Sequence, residues 1–318
     1  MQMQAYQRLE NYIGEWSGRP DMAVVCNSGT AALHLALESM NLPPRSEVVL
    51  PDFTMVACAR AVLLAGLTPV FVDCDENGLM DLDVLKRVVR KETKVIMAVH
   101  IYGRKVDMDR VHDINKKAYV IEDLAEAHGI APHPQTHAAC WSFYRNKVIH
   151  GEEGGAIAFN STTLARRARC LRSLGYTFGY VHVPRGHNYR LANALAELIE
   201  RSFTEYERNL RERRRFEALY NMYCPSHWKM PKRDVPWVYD IRCGSVNERV
   251  KTLTDAGIEA RHSFKPMHQQ FEFTDYAFFG DDMSRKLSET VMYLPLTGVK
   301  DDEAVRETFK LLGSATPL

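Results

Sequence analysis

Two spacings of apolar residues alternate along the first half of the chain. Short runs of consecutive apolar residues, typical of buried parallel strands, are followed by stretches in which apolar residues recur every three or four positions, typical of helices. The spacing predicts strands at Ala23–Cys26, Val48–Leu50, Pro69–Asp73, Lys94–Val99, Tyr119–Ile121 and Ala156–Phe159, and helices at Leu33–Met40, Val56–Ala65, Leu82–Val89 and Met108–Ile114. This order predicts an α/β fold, in which βαβ crossovers build a mostly parallel sheet with helices on both faces.

The two ends of the chain depart from this alternation. Tyr6, Leu9 and Ile13 lie on one face of a predicted N-terminal helix, and apolar residues from 191 to 210 predict one long helix that leads into a second domain. The elements beyond it are fewer and shorter. Because 318 residues exceed a typical single domain, the sequence predicts a large α/β domain at 1–205 and a small α+β domain at 206–318.

Composition excludes several classes of protein. The formal net charge of +1 gives no electrostatic reason to expect a nucleic acid or an anionic membrane as partner, and the basic run at 208–217 is interpreted as a solvated helix face. No apolar run approaches the roughly 20 residues of a membrane span. Seven scattered cysteines without a CxxC pair favour reduced thiols and a cytoplasmic location, with no disulfide framework and no metal.

Two residues in the middle of the chain indicate the chemistry. Asp123 follows an apolar run, at the carboxyl end of a predicted strand, where open α/β sheets bind ligands, and Lys147 ends SFYRNK just before a Gly-rich turn. An acid and an amine suit pyridoxal 5′-phosphate: the lysine forms a Schiff base with the aldehyde, and the acid keeps the pyridine nitrogen protonated. The two residues alone leave open a helix-capping aspartate and a solvated lysine.

A small-residue turn after the first predicted strand could hold a phosphate. Gly29 and Thr30 stand at the start of a predicted helix, where unpaired backbone N–H groups and the helix dipole favour an anion. An ordinary N-cap by Ser28 is the alternative. No GxGxxG follows the first strand and no GxxxxGK[ST] occurs, which disfavours dinucleotide and P-loop sites.

Several motifs together resemble one family along nearly the whole chain. They are SGTAALHLAL (28–37), TPVFVD (68–73), IEDLAEAHG (121–129), SFYRNK with EGG (142–147, 153–155) and GHNYRLAN (186–193). In this order they resemble the DegT family of sugar-nucleotide aminotransferases, which are pyridoxal-phosphate enzymes of fold type I. The resemblance implies that Lys147 is the Schiff-base lysine and Asp123 the partner of the pyridine nitrogen, and that Gly29, Thr30 and Ser142 hold the phosphate.

The resemblance also implies a shared site and shows two departures. Glu126 stands where the family has Gln or Glu near the phenolic oxygen of the cofactor, and Asn188 matches a loop asparagine that reaches the neighbouring subunit's cofactor, which implies a homodimer. Met55 occupies the position of an aromatic residue that stacks on the pyridine ring, so weaker cofactor binding is expected. The chain also begins later than most members, without a segment that usually helps to shape the site and dimer.

Within the family, AEAHG, GHNYR and RHSFKPMH resemble most closely the members that aminate C4 of GDP-4-keto-6-deoxymannose with glutamate, in deoxyamino sugar and polysaccharide biosynthesis. An aminotransferase for a dTDP- or UDP-linked keto-sugar, at C3 or C4, is the alternative. A homologue that binds the cofactor without turnover is another. Lys147 disfavours the sugar 3-dehydratases, which have histidine there.

Overall fold

The sequence folds into two sheets with helices around them. The computed structural model describes residues 3–313. Its strands are β1 Ala23–Cys26, β2 Glu47–Pro51, β3 Thr68–Val72, β4 Thr93–Val99, β5 Tyr119–Asp123, β6 Ala138–Ser142, β7 Gly155–Phe159, β8 Val238–Arg242, β9 Arg261–His262, β10 Phe278–Phe279 and β11 Val291–Pro295. Its α-helices are α1 Ala5–Trp16, α2 Gly29–Ser39, α3 Val56–Leu64, α4 Leu82–Val88, α5 Met108–Ile114, α6 Thr162–Arg172, α7 Asn193–Thr204, α8 Tyr206–Tyr223, α9 Val246–Asp255, α10 Met283–Thr290 and α11 Asp302–Leu311.

The large sheet has the order β1-β7-β6-β5-β4-β2-β3-β10. Within the described residues, β7 is the only strand of this sheet that runs opposite to the others, while the pairings from β6 to β10 are parallel. Helices α2, α3 and α6 cover one face, and α1, α4, α5 and α7 cover the other. The predicted α/β fold with a mostly parallel sheet is confirmed.

The reversed strand determines where the functional residues meet. Because β7 is antiparallel to both β6 and β1, strands β1, β5 and β6 all point the same way. Their carboxyl ends, together with the loop between β6 and β7, therefore lie at one edge of the sheet. That edge is where an open α/β sheet binds its ligand.

The predicted long helix is instead two helices, α7 and α8, interrupted at Glu205. The backbone N–H of Glu205 bonds to the carbonyls of both Arg201 and Ser202, the tightened pattern of a helix end. Beyond it, Tyr206 donates a hydrogen bond of 3.0 Å to the carbonyl of His128. None of the helices in residues 3–313 is both long and apolar enough to cross a membrane.

The second sheet, β8-β11-β9, packs with α8, α9 and α11 around a separate apolar cluster. The domain boundary at 205/206 stays a prediction, because residues beyond it also complete the first sheet: β10 pairs with β3 at its edge. Asp52, after β2, accepts hydrogen bonds from the hydroxyl of Ser284 at 2.6 Å and the N–H of His268 at 2.9 Å. The two parts of the chain are therefore joined by polar contacts as well as by packing.

A buried charge cluster forms another joint. Asp240 on β8 is fully buried. Its two carboxylate oxygens each accept a hydrogen bond from Arg104, at 2.8 and 2.9 Å, and Arg233 donates further hydrogen bonds to it. Burial alone would raise the pKa of Asp240, but the two guanidinium groups outweigh it and lower that pKa. The charges stabilise one another only as a complete set.

We expect Asp240→Asn to destabilise the protein by about 3–5 kcal/mol, because it leaves the buried guanidinium group of Arg104 without a carboxylate and that of Arg233 with Glu217 alone. The matched control is Asp302→Asn, which breaks an exposed pair with Arg215 at 3.0 Å and is expected to cost less than about 1 kcal/mol. Urea unfolding followed by circular dichroism gives both values. If both variants lowered the free energy of unfolding equally, the buried cluster would not have the stabilising role proposed for it.

Candidate active site

The carboxylate of Asp123 lies at the floor of the site, at the end of β5. Its side chain is buried, and Oδ1 accepts the backbone N–H of Ala125 at 2.9 Å. Oδ2 accepts a hydrogen bond of 3.2 Å from the thiol of Cys58, which lies on α3. Burial raises the pKa of Cys58 well above its ordinary value, so this thiol keeps its proton and acts as the donor. Cys58 was not among the residues singled out from the sequence.

The amine of Lys147 lies above this floor, in the loop between β6 and β7. Nζ is 3.9 Å from Oε1 of Glu126 and 3.8 Å from the centre of the Trp237 ring, and the side chain is 11% exposed. Burial lowers the pKa of Lys147, with Glu126 opposing the shift. The ammonium form is therefore less favoured here than in water, and a nucleophilic amine is easier to reach.

Glu126 faces this amine from the segment after β5. Its Oε2 accepts the backbone N–H of Tyr102 at 2.7 Å. Burial raises the pKa of Glu126 to about 7, although Lys147 and this hydrogen bond pull it down. A carboxyl group with that pKa gains or loses its proton near neutral pH, which suits a general acid or base.

One arginine of the basic run on α8 holds the lysine loop in place. Arg213 is buried and donates to the carbonyls of Asn146 at 3.1 Å, Lys147 at 3.2 Å and Trp237 at 2.5 Å. The Trp237 indole N–H also donates to Asn146 O, at 3.1 Å. The predicted solvated face at 208–217 is therefore wrong at Arg213, and also at Glu217, which is buried and pairs with Arg233 at 3.2 Å, although the other arginines of the run are exposed.

The turn after β1 approaches the end of β6 very closely. A Cβ on Gly29 would lie 2.6 Å from Cβ of Ser142, so only glycine fits. Ser28 does cap α2 by accepting the N–H of Ala31 at 3.1 Å, as the alternative interpretation expected. The cap leaves the N–H groups of Gly29 and Thr30 without intrahelical partners, directed at this edge of the sheet.

The other two residues predicted for the site are both exposed. Met55 precedes α3, and its side chain is 50% exposed. Asn188 is exposed in the loop at 173–192, where its backbone bridges to Ser173. The structure thus brings Asp123, Glu126 and Lys147 together, and Gly29 with Ser142, whereas the roles of Met55 and Asn188 stay predictions.

Comparisons with known proteins give consistent matches. The model of the DegT/DnrJ/EryC1/StrS aminotransferase family matches residues 2–312. A GDP-perosamine synthase of Caulobacter vibrioides is 35% identical over 273 residues, covering 77% of this chain and 72% of that protein. A UDP-N-acetyl-3-dehydro-alpha-D-glucosamine 3-aminotransferase of Acidithiobacillus ferrooxidans is 32% identical over 289 residues, covering 86% and 78%. A solved DegT DnrJ EryC1 StrS aminotransferase from Brucella abortus has a TM-score of 0.87 at 25% identity, covering 96% and 89%.

The raised pKa of Glu126 predicts a pH dependence of stability. In the ligand-free protein this carboxyl binds its proton more tightly when folded, so its stabilising contribution is complete below the ordinary value of 4.5 and is lost as the pH rises through about 7. The free energy of unfolding of the wild type, relative to Glu126→Gln, should fall by more than about 1 kcal/mol over that range. Urea titrations at several pH values measure it. Parallel pH profiles for the two proteins would contradict the assignment.

Proposed function

Because the chain belongs to the DegT/DnrJ/EryC1/StrS aminotransferase family, we propose that it uses pyridoxal 5′-phosphate to transfer an amino group from glutamate to a nucleotide-linked 4-keto-6-deoxyhexose. The family predicted from the motifs is confirmed. The relative from Caulobacter vibrioides supports GDP-4-keto-6-deoxymannose as substrate and GDP-perosamine as product. The relative from Acidithiobacillus ferrooxidans supports a UDP-linked 3-keto sugar as the second candidate.

The observation that carries the proposal is the buried amine of Lys147 beside Glu126, at the sheet edge where Asp123 ends β5. The donor set fits a phosphorylated pyridine aldehyde. It offers an amine for the aldehyde, a carboxylate for the ring nitrogen and, at the turn where Gly29 approaches Ser142, N–H and hydroxyl donors for the phosphate. When bound, the cofactor supplies an aldehyde that takes up the amino group and a ring that accepts electrons.

Each residue has a distinct task in this proposal. Lys147 Nζ would hold the cofactor covalently and, once released by the amino donor, move the proton at the reacting carbon. Glu126 would hold a proton on the side of the site that faces this amine. Asp123 would accept a hydrogen bond from the protonated ring nitrogen and so stabilise the positive charge on the ring. Gly29 and Thr30 would orient the phosphate through their backbone N–H groups.

Residues of the second sheet enclose the amine from the other side. A pocket next to the lysine loop is lined by Asn146, Trp237, Arg261 and Tyr293, among others. Glu259 also lines it and pairs with Arg261 at 2.9 Å. We assign this side to the sugar nucleotide, because it combines aromatic faces with hydrogen-bonding groups and is contiguous with the Trp237 ring that covers Nζ. A cytoplasmic location stays a prediction that the seven free cysteines support.

The proposal is tested by incubating the purified protein with isotopically labelled glutamate and a panel of GDP-, dTDP- and UDP-linked keto-sugars, followed by mass spectrometry. We expect a labelled amino sugar from the GDP-linked 4-keto-6-deoxyhexose. Lys147→Ala should abolish the product and the visible absorbance of the bound cofactor, and should leave nothing for borohydride to fix to the chain. Lys86→Ala, an exposed lysine on α4, is the matched control and should behave as the wild type.

The outcomes separate the alternatives. Product only from a UDP- or dTDP-linked sugar would replace the substrate and leave the reaction class intact. A covalently held cofactor without transfer to any sugar of the panel would contradict the proposed transferase and favour a homologue that only binds it. Borohydride fixation in Lys147→Ala would show that the wrong lysine has been assigned.

We further propose that two subunits share each site. Asn188 stands exposed on a loop outside the βαβ series, although the adjoining Tyr189 is tied by its carbonyl to the N–H of Asn27 at 3.0 Å, next to the proposed phosphate turn. The exposed amide is open to a neighbouring subunit, which suits an isologous dimer in which it would reach that subunit's phosphate.

Mixing inactive variants tests this sharing. If Asn188 acts across the interface, a heterodimer of Lys147→Ala with Asn188→Ala has one site with both good residues, so equal mixing should restore about a quarter of wild-type activity. The matched control mixes Lys147→Ala with Asp123→Asn, whose residues belong to the same subunit's site, and should restore nothing. Recovery in neither mixture, once subunit exchange is demonstrated by mass, would contradict the shared site.

A further inference from the structure

A second group of polar side chains lies outside the proposed active site, on the buried face of α2. His34 and Glu38 are one helical turn apart on this helix, and His187 meets them from the loop at 173–192. One donor atom from each of the three lies within 4.8 Å of the others. Two imidazoles and a carboxylate are a donor set that zinc prefers.

The histidine on α2 has an unused nitrogen in this group. His34 is 2% exposed, and its Nε2 has no hydrogen-bond partner among the described residues. Nε2 lies 3.7 Å from Oε1 of Glu38, which is itself buried. A buried polar atom without a partner is costly and calls for an explanation, and a bound ion supplies one.

The protonation state of the group suits a metal ligand. Burial and, to a smaller extent, the nearby His187 lower the pKa of His34 to about 4, with the Leu64 carbonyl opposing the shift. Burial also lowers the pKa of His187. Both imidazoles are therefore neutral at pH 7, and a metal ion has no proton to displace.

A hydrogen bond orients the His34 ring. Its Nδ1 is 3.2 Å from the hydroxyl of Tyr189, so this oxygen can accept Nδ1–H and leave the lone pair on Nε2, the arrangement usual for metal-bound histidines. The Tyr189 ring also stacks on His187, with ring centres 4.8 Å apart. The backbone of His187 is fixed by hydrogen bonds with Leu171 and Leu174. The ligands are therefore held by their surroundings.

We infer that His34, Glu38 and His187 form a binding site for a divalent transition-metal ion, with zinc as the best match to the donors. A tetrahedral zinc site has ligand atoms about 3.4 Å apart, so the three donor atoms, which lie within 4.8 Å of one another, must close in by at most about 1.4 Å. Arg185 does not occupy the same carboxylate oxygen, because its Nη1 lies 3.5 Å from Oε2 whereas His34 faces Oε1. The cysteines, which gave no zinc pattern, take no part in the site.

A metal ion here would tie the loop at 173–192 to α2, the helix whose first turn carries Gly29 and Thr30. Asn188 stands between the ligand His187 and the orienting Tyr189, so the ion would also set the position of that amide. Only this last consequence rests on the proposed function; metal binding itself does not.

Zinc ions added to the metal-depleted full-length protein, in competition with a chromogenic chelator, provide the test. We expect one zinc per chain, bound at least 100-fold more weakly by Glu38→Gln and by His187→Phe, which retains the ring stack on Tyr189. His182→Gln, on the same loop but outside the cluster, is the matched control and should bind as the wild type. Arg185→Gln should bind as tightly or more tightly, because it removes a repelling charge.

Thermal unfolding gives an independent readout. Zinc should raise the melting temperature of the wild type and of His182→Gln, but not that of Glu38→Gln or His187→Phe, since an ion bound to the folded state stabilises it. Absence of saturable binding to the wild type would overturn the inference. So would unchanged binding in both ligand variants while they remain folded by circular dichroism, because the ion would then be held elsewhere, for example by cysteines.

Discussion

The burial of one amine is the constraint on which the rest of the site depends. An ammonium group taken out of water is costly, so Lys147 can remain inside only because Glu126 and the Trp237 ring face it. Trp237 belongs to the second part of the chain, and Arg213 from α8 holds both residues by hydrogen bonds to the carbonyls of Lys147 and Trp237. The packing of the two parts therefore has a chemical purpose, which is to keep water from the amine.

The buried charge cluster around Asp240 also helps to position the groups around Lys147, although it does not touch that amine. Arg104, one of its members, directly follows the turn formed by Ile101, Tyr102 and Gly103, whose Tyr102 N–H bonds to Glu126. Gly103 packs so closely on the 231–240 segment that a Cβ would lie 1.7 Å from the carbonyl of Val235, at a φ of +77°. The cluster thus holds the turn that supplies a donor to Glu126, and through Glu126 it affects Lys147.

The sequence allowed six of the eight strands of the large sheet to be predicted, because spacing is a local signal, and it placed Asp123 at a strand's carboxyl end, where parallel strands share one edge. Strands β6 and β10 were not among the predicted strands. Asp123 and Lys147 could be predicted as site residues because each follows an apolar run. Trp237 and Cys58 did not, since their contacts with the site cross 91 and 65 residues of chain and leave no local pattern. Arg213 had a usable signal: it precedes Phe216 by three positions and Tyr220 by seven, which places it on the buried stripe of α8.

One helix, α2, connects the proposed active site with the proposed metal site. The N-terminus of α2 presents unpaired N–H groups to the sheet edge, whereas its middle is buried on nearly all sides and carries His34 and Glu38. In both places burial makes the neutral, lone-pair form of a nitrogen base more favourable than it is in water: Lys147 as a nucleophile and His34 as a potential ligand. Desolvation that weakens each charged form is thus a cost in stability and the source of reactivity. Because His34 is one turn from Thr30 on the same helix, an ion that fixed His34 would also fix the backbone donors of the phosphate turn.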